Sequence, residues 1–235
     1  MAGTIVERIE ETVLRCREME GSLNERLSVV ANKVRELNPV FADAIEQLIA
    51  RLKQGGACAA APQAGEPMPP FLLPDDDGML VSLEDLLAEG PAAVVFNRGH
   101  WCPYCRLNTV ALSEIHQEAR ALGAKIVAIT PETQAYTRRL RAWADAPFPI
   151  LTDMDNGYAL SLGLAVWVGS EVERYNKVGG VNLPIYQGND SWTIPIPATF
   201  IVGRDGLIKA RYVDPDYRRR MATEELLAAL KAAAS

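Results

Sequence analysis

The chain has 235 residues, of which 49% are hydrophobic and 23% are charged, a balance typical of a soluble globular protein rather than a disordered one. Its formal net charge of −6 argues against a nucleic acid or an anionic membrane as partner, since either favours a concentrated basic face. The sequence shows no leader pattern and no long uncharged apolar run, and its four cysteines are too few for a secreted disulfide framework. We therefore expect a cytoplasmic protein that is not inserted in a membrane.

Residues 1–54 are predicted to form an all-helical extension. Cap patterns mark helix starts at Thr4, Ser22 and Asn38, the first two as capping boxes and the third with a proline directly behind it. These signals indicate three helices, and one long helix is the alternative, because apolar residues keep a heptad register across Gly21. The apolar stripe needs a cover, which either the same chain or a second copy in a homodimer supplies.

Residues 55–70 contain small residues, glycine and proline without any periodicity, a composition that predicts a linker. Cys58 lies in this stretch, and we expect an exposed, incidental cysteine here rather than a second resolving thiol. A new pattern of strands and helices begins at Phe71, and residues 66–235 are assigned to the domain that it forms.

Strands and helices alternate through this domain, which predicts a mixed sheet with helices on its faces. The elements expected in chain order are a hairpin of 71–73 and 79–81, a helix ending near Gly90, a strand at 92–97, a helix at 103–122, a strand at 125–129, a helix at 133–144, an extended segment at 148–151, a hairpin of 198–202 and 207–213, and a helix at 222–233. Residues 167–190 show no clear period and predict a loop-rich insertion bordering the active site.

Two cysteines, Cys102 and Cys105, flank a proline and a tyrosine where an apolar strand gives way to a helical pattern. A reactive cysteine must be a thiolate, and the unpaired N–H groups and dipole of a first helical turn stabilise that charge. Pro103 suits this turn because its missing N–H costs nothing there. Arg98 and Arg106 add positive charge. The pair is therefore interpreted as a redox centre whose disulfide forms and breaks after small adjustments.

Two other interpretations of the cysteine pair stay open. The pair can be half of a zinc site that enlists His100 or His116, although no second cysteine or histidine pair occurs in the sequence. It can also be an inert, packed pair, since buried cysteines are common.

The order of elements resembles that of thioredoxin-like folds, and the chain is most similar to the peroxiredoxin-like proteins of the alkyl hydroperoxide reductase and thiol-specific antioxidant family. The resemblance covers residues 66–233 and rests on the motifs at 70–78, 81–86, 95–105 and 197–202. It implies a redox domain with a thioredoxin-like fold behind the helical extension.

The resemblance also implies an activity. Cys102 becomes the peroxidatic cysteine, which turns into a sulfenic acid on attacking a hydroperoxide, and Cys105 condenses with it to a disulfide. Thioredoxin or glutathione then restores the thiols, and no cofactor is needed. Pro197 becomes the cis-proline that thioredoxin-like folds set beside the cysteines, and Trp101 helps to shield the sulfur.

The chain departs from the family pattern at two places. Gly99 stands where peroxiredoxins usually carry threonine or serine, and Pro195 with Ile196 stands where they usually present an arginine. Donors to a peroxide oxygen must then come from backbone amides or from Arg98, Arg106, His100 or Tyr104. Two alternatives to a peroxidase follow: a thiol–disulfide oxidoreductase, and a non-catalytic redox-sensing module that reaches a partner through its N-terminal helices.

Overall fold

The structure, a computed structural model, describes residues 3–234. Its first elements are helices, with bounds at α1 Ile5–Arg17, α2 Leu23–Leu37 and α3 Pro39–Gln54. Thr4 and Ser22 form the predicted capping boxes, and the Asn38 side chain caps the third helix. The alternative of one long helix is wrong, because the chain turns between α1 and α2, where Gly21 takes a φ of +129° that favours glycine.

The remaining elements alternate as predicted. They are β1 (Leu72–Pro74), β2 (Leu80–Ser82), α4 (Leu83–Glu89), β3 (Ala92–Phe96), α5 (Pro103–Glu114), α6 (His116–Ala121), β4 (Lys125–Thr130), α7 (Gln134–Trp143), β5 (Ile150–Thr152), a 3-10 turn (Met154–Asn156), α8 (Gly157–Ser161), β6 (Ala165–Trp167), α9 (Ser170–Val178), α10 (Leu183–Gln187), β7 (Thr193–Pro195), β8 (Ala198–Val202), β9 (Ile208–Val213) and α11 (Thr223–Ala234). The helix predicted over 103–122 is divided at Ile115, whose φ of −93° and ψ of 0° are typical of a helix end. None of the helices described within 3–234 is long and apolar enough to cross a membrane.

The central sheet of the described chain has the strand order β5-β4-β3-β8-β9. β3, β4 and β5 run parallel, whereas β8 runs antiparallel to both β3 and β9. Alternate residues of β3 belong to different hydrophobic clusters, with Val94 on one face and Val95 on the other, because both faces are covered. The predicted α/β class, a mixed sheet flanked by helices behind a helical extension, is confirmed.

The N-terminal helices pack on their own chain. α1 and α2 both contact α5, and Val13 and Leu27 share one buried cluster with Cys102 and Cys105. The apolar stripe that the sequence left without a cover is thus buried against the helix that carries the cysteines. A homodimer through these helices stays a prediction.

The prediction of a loop-rich insertion at 167–190 is wrong, because this segment contains α9 and α10. Pairing of β6 with β7 closes the base of the segment. The Asn182 side chain accepts the Ile185 N–H and Pro184 occupies the first turn, so α10 does have a start signal. At five residues, however, α10 is too short to show a helical period in the sequence.

The stretch 55–70 contains no helix or strand, yet much of it is packed against the domain. Ala61, Met68 and Cys58 belong to the cluster on one face of the sheet. The expectation of an exposed Cys58 is therefore wrong, and burial raises the pKa of its thiol to about 11. Small side chains permit this close approach: a Cβ added to Gly163 would lie 3.1 Å from the Cβ of Ala60.

Candidate redox-active site

The two cysteines occupy the start of α5, directly after the central strand β3. Cys102 is the N-cap residue, with φ −88° and ψ 114°, and its backbone N–H donates to the Gly99 carbonyl across 3.2 Å. Pro103 is the first helical residue, as expected. Cys105 lies in the first turn, where its Sγ accepts the backbone N–H of Arg98 across 3.2 Å. Both cysteine side chains are fully buried and neither is in a disulfide.

Arg98 is the cation of the site. Its Nη2 donates to the Sγ of Cys102 across 3.2 Å. The guanidinium lies 3.5 Å from the ring centroid of Tyr217 and 4.9 Å from that of Trp101. No carboxylate of residues 3–234 forms an ion pair with it. The cation is therefore stabilised by two aromatic faces and by the Cys102 sulfur, which suits a thiolate.

A second arginine, Arg220, reaches the site from the far end of the chain. Its Nη2 donates to the Sγ of Cys105 across 3.5 Å, and it is only 3% exposed. The carbonyl groups of Tyr217 and Arg219 accept from its Nη1. Arg220 is the last of three consecutive arginines, at 218–220, and it is buried although charged side chains are usually solvated. No local sequence signal separates this buried arginine from its neighbour Arg219, which is largely exposed.

These contacts assign different protonation states to the two sulfurs. Burial alone raises the pKa of Cys102, but the hydrogen bond from the Cys105 thiol and the charges of Arg98 and Arg220 bring it well below the ordinary value. Burial, the hydrogen bond given to Cys102 and the charge of that thiolate raise the pKa of Cys105 well above its ordinary value. The site can therefore hold a nucleophilic thiolate on Cys102 beside a protonated partner thiol.

Comparison of the sequence with models of protein families shows to which family the chain belongs. The model of the AhpC/TSA family matches residues 64–211, which is more than half of the chain. The chain belongs to the AhpC/TSA family. The helices α1–α3 lie outside the matched region. No curated protein matches the sequence.

Solved structures share the fold of this AhpC/TSA protein. Peroxidoxin BcpB from Mycobacterium tuberculosis has a TM-score of 0.56 at 19% identity, over 72% of this chain and 97% of that one. A variant of peroxiredoxin 6 from Arenicola marina has a TM-score of 0.56 at 16% identity, over 71% of each chain. Peroxiredoxin Q from Xanthomonas campestris has a TM-score of 0.51 at 18% identity, over 70% and 92%. The predicted thioredoxin-like, peroxiredoxin-like fold is confirmed.

Gly99, which stands where peroxiredoxins usually carry a threonine or serine, lies against a buried carboxylate, that of Glu132. Glu132 is fully buried and accepts both the backbone N–H and the ring Nδ1 of His100, each across 2.7 Å. Burial raises the pKa of Glu132, against the lowering effect of its bonds with His100. Gly99 has a φ of +137°, and a Cβ there would lie 2.5 Å from the Glu132 carboxyl carbon. A side chain at 99 would therefore have to displace the Glu132 carboxylate.

The Glu132 contact was missed, although the sequence did contain a signal for it. β3 and β4 are parallel neighbours, with Phe96 opposite Ile129. Residues that follow the carboxyl ends of adjacent parallel strands meet at one edge of the sheet, so His100 and Glu132 were placed to meet. The ring of His100 is thus paired with Glu132. The described residues contain no group of three His, Cys, Asp or Glu side chains that could hold a metal ion.

Pro197 directly precedes β8, as predicted, and lines a cavity of about 20 Å³ that Arg98 and Tyr217 also border. The expectation of a cis peptide bond before Pro197 is wrong: every peptide bond within 3–234 is trans. Pro197 thus lies close to the arginine of the site, with a trans bond before it. The ring of Trp101 lies against the Arg98 guanidinium. Its role in shielding the Cys102 sulfur stays a prediction.

Arg106 does not take the place predicted for it beside the thiols. Its two terminal nitrogens donate to the Glu10 carboxylate across 2.6 and 2.7 Å, and its guanidinium lies 3.8 Å from the ring centroid of Trp143. The residue therefore fastens α1 to α5. The side-chain cations that the structure does bring to the sulfurs are Arg98 and Arg220.

Proposed function

We propose that this protein is a thiol-dependent peroxidase in which Cys102 reduces a hydroperoxide and Cys105 resolves the product. The observation that carries the proposal is the buried contact of Arg98 Nη2 with Cys102 Sγ, at the N-terminus of a helix whose first turn holds Cys105. This arrangement supports a thiolate at neutral pH beside a thiol that can close a disulfide. Membership of the AhpC/TSA family supports the same chemistry.

The first step oxidises Cys102. Its thiolate sulfur attacks the terminal oxygen of the hydroperoxide, the S–O bond forms as the O–O bond breaks, and the alkoxide or hydroxide that leaves takes a proton from water. The sulfur has given up two electrons and is a sulfenic acid. The positive charge of Arg98, freed from the thiolate, stabilises the negative oxygen that departs.

The second step closes the disulfide. The Cys105 sulfur attacks the Cys102 sulfur, the S–S bond forms, and the sulfenic hydroxyl leaves with the Cys105 proton as water. Two thiols of a reductant then reduce the disulfide and are themselves oxidised to a disulfide. Thioredoxin or glutathione is the proposed reductant, and a cytoplasmic location is proposed because a reducing compartment maintains free thiols.

A thiol–disulfide oxidoreductase is the second candidate function. Gly99 favours it, because the family's threonine or serine hydroxyl is missing there. The complete burial of Cys102 and Cys105 favours the peroxidase instead, since a small peroxide needs less opening of the site than a protein disulfide does.

Intact mass of single-cysteine variants after treatment with hydrogen peroxide tests the proposal. The wild type loses two hydrogens, Cys102→Ser keeps its mass, and Cys105→Ser gains one oxygen or more because its sulfenic acid is not resolved. Cys16→Ser is the matched control, since Cys16 is also buried but lies on α1, and it behaves as the wild type does. A Cys102→Ser protein that still loses two hydrogens contradicts the proposal.

A further inference from the structure

An apolar cavity of about 210 Å³ lies between the N-terminal helices, α9 and the loop that carries Cys102. We call it the chamber. Its walls include Ile9 of α1, Ile45 of α3 and Val172 of α9, and Arg98 and Trp101 border it on the side of the cysteines. Since α1–α3 lie outside residues 64–211, which match the family, much of this wall comes from a part of the chain that the family model does not include.

Arg98 connects the chamber to the reacting sulfur. It lines the chamber while its Nη2 contacts the Sγ of Cys102. Its Nε is buried and has no hydrogen-bond partner among the residues that the structure describes. A buried donor without a partner is unfavourable, so the Nε–H of Arg98 is open to a hydrogen bond with an oxygen atom of a ligand that reaches this arginine.

The charges of the chamber indicate a neutral ligand. Glu10 and Arg106 both line it, but they neutralise each other in a bidentate ion pair. The remaining charged lining residue, Arg98, faces the Cys102 thiolate. A ligand with its own charge would find no free counterion, whereas an apolar body is matched by the walls.

On the basis of the proposed peroxidase function, we propose that the chamber binds the apolar body of a neutral organic hydroperoxide and selects it over hydrogen peroxide. The volume sets the size of that body. An apolar protein cavity of about 150 Å³ is enough for benzene, so the chamber accommodates one aromatic ring with a short branched substituent. The hydroperoxide group then lies at Arg98, with its terminal oxygen toward Cys102.

The test compares oxidation of Cys102 by cumene hydroperoxide and by hydrogen peroxide, each followed under single-turnover conditions. Val172→Phe places extra volume in the chamber and is expected to lower the ratio of the two rate constants about tenfold. Val178→Phe is the matched control, because Val178 is on the same helix but 85% exposed and outside the chamber lining, and it leaves the ratio unchanged. An unchanged ratio in Val172→Phe overturns the inference.

Binding of cumyl alcohol, the unreactive product, separates this inference from the proposed function. Calorimetry with the Cys102→Ser protein is expected to detect binding, and the additional Val172→Phe change to weaken it about tenfold. No binding, or binding that Val172→Phe does not affect, overturns the chamber as the site. If the alcohol binds in the chamber but neither peroxide oxidises Cys102, the peroxidase function fails and the selection of hydroperoxides fails with it.

Discussion

Arg98 and Cys102, both buried, are joined by a hydrogen bond of 3.2 Å from Nη2 to Sγ. The ring of Tyr217 covers the guanidinium, and no carboxylate of the described chain pairs with it. A hydrogen bond that involves a charged group contributes about 1.5–3 kcal/mol. The sulfur and the guanidinium thus stabilise each other's charge, and the reactivity of Cys102 depends on this pair.

Arg98→Met is expected to move the thiolate titration of Cys102 toward or above the range of a free cysteine. Methionine retains the unbranched apolar stem of the arginine but removes the guanidinium and its charge, so burial dominates and the thiolate is lost at neutral pH. Oxidation by peroxide at neutral pH then falls about tenfold to a hundredfold. The titration is followed by the ultraviolet absorbance of the thiolate, with Cys102→Ser subtracted.

Arg106→Met is the matched control for Arg98→Met. It removes an arginine that the sequence placed near the thiols but that the structure pairs with Glu10. The Cys102 titration stays in place in this variant. Equal shifts in both variants would mean that the general positive potential, and not the Arg98 contact, holds the thiolate.

The stability of the reduced protein is expected to depend on pH through Cys102. Because its pKa is lowered in the folded state, the unfolded chain binds more protons at pH values between the folded pKa and about 8.5, the value of a free cysteine. The contribution is therefore fully present above about pH 8.5 and is lost as the pH falls through the folded pKa. The difference in Tm between the wild type and Cys102→Ser shrinks toward acid pH, and a difference that is constant from about pH 5 to 8.5 contradicts this.

Arg220→Met is expected to slow the resolving step more than the first oxidation. Arg220 contacts the Sγ of Cys105, and its charge opposes the rise in the pKa of that thiol. Without it Cys105 ionises less readily, so the Cys102 sulfenic acid persists longer and is trapped by dimedone in greater yield. Arg218→Met, which removes an arginine paired with Asp216 and Glu46, is the control. A shorter sulfenic lifetime in Arg220→Met contradicts the assignment.

Gly99→Ala is expected to destabilise the protein more than Gly206→Ala does. Both glycines have positive φ, at +137° and +76°, so both substitutions carry backbone strain of about 1–2 kcal/mol. Only at Gly99 does the new Cβ also meet the buried Glu132 carboxylate, which brings the loss to about 3 kcal/mol or more. Urea unfolding measures both, and equal losses would show that the Glu132 contact is not a constraint.

Much of the fold was predictable because its signals are local. The caps at Thr4 and Ser22, the glycine turns of the hairpins and the cysteines at the end of β3 all lie within a few residues of the structure they determine. The same holds for Pro103, which marks the helix start beside the nucleophile.

The side chains around Cys102 and Cys105 could not be predicted from the sequence, because they come from distant parts of the chain. Arg220 lies 115 positions from the sulfur it contacts, and Glu10 lies 96 positions from Arg106. Neighbouring arginines in the run 218–220 face surface carboxylates or the buried cysteine depending only on tertiary packing. Periodicity and motif spacing carry no information about such contacts.

Stopped-flow tryptophan fluorescence of the reduced protein mixed with hydrogen peroxide, followed by intact mass, tests the central claim most directly. Trp101 lies against Arg98 and is the expected reporter, which Trp101→Phe verifies against the other tryptophans of the chain. We predict a rapid change that is absent in Cys102→Ser and that ends in the loss of two hydrogens. No reaction with hydrogen peroxide or cumene hydroperoxide, together with ready oxidation by a disulfide such as oxidised glutathione, would contradict the peroxidase and establish a thiol–disulfide oxidoreductase instead.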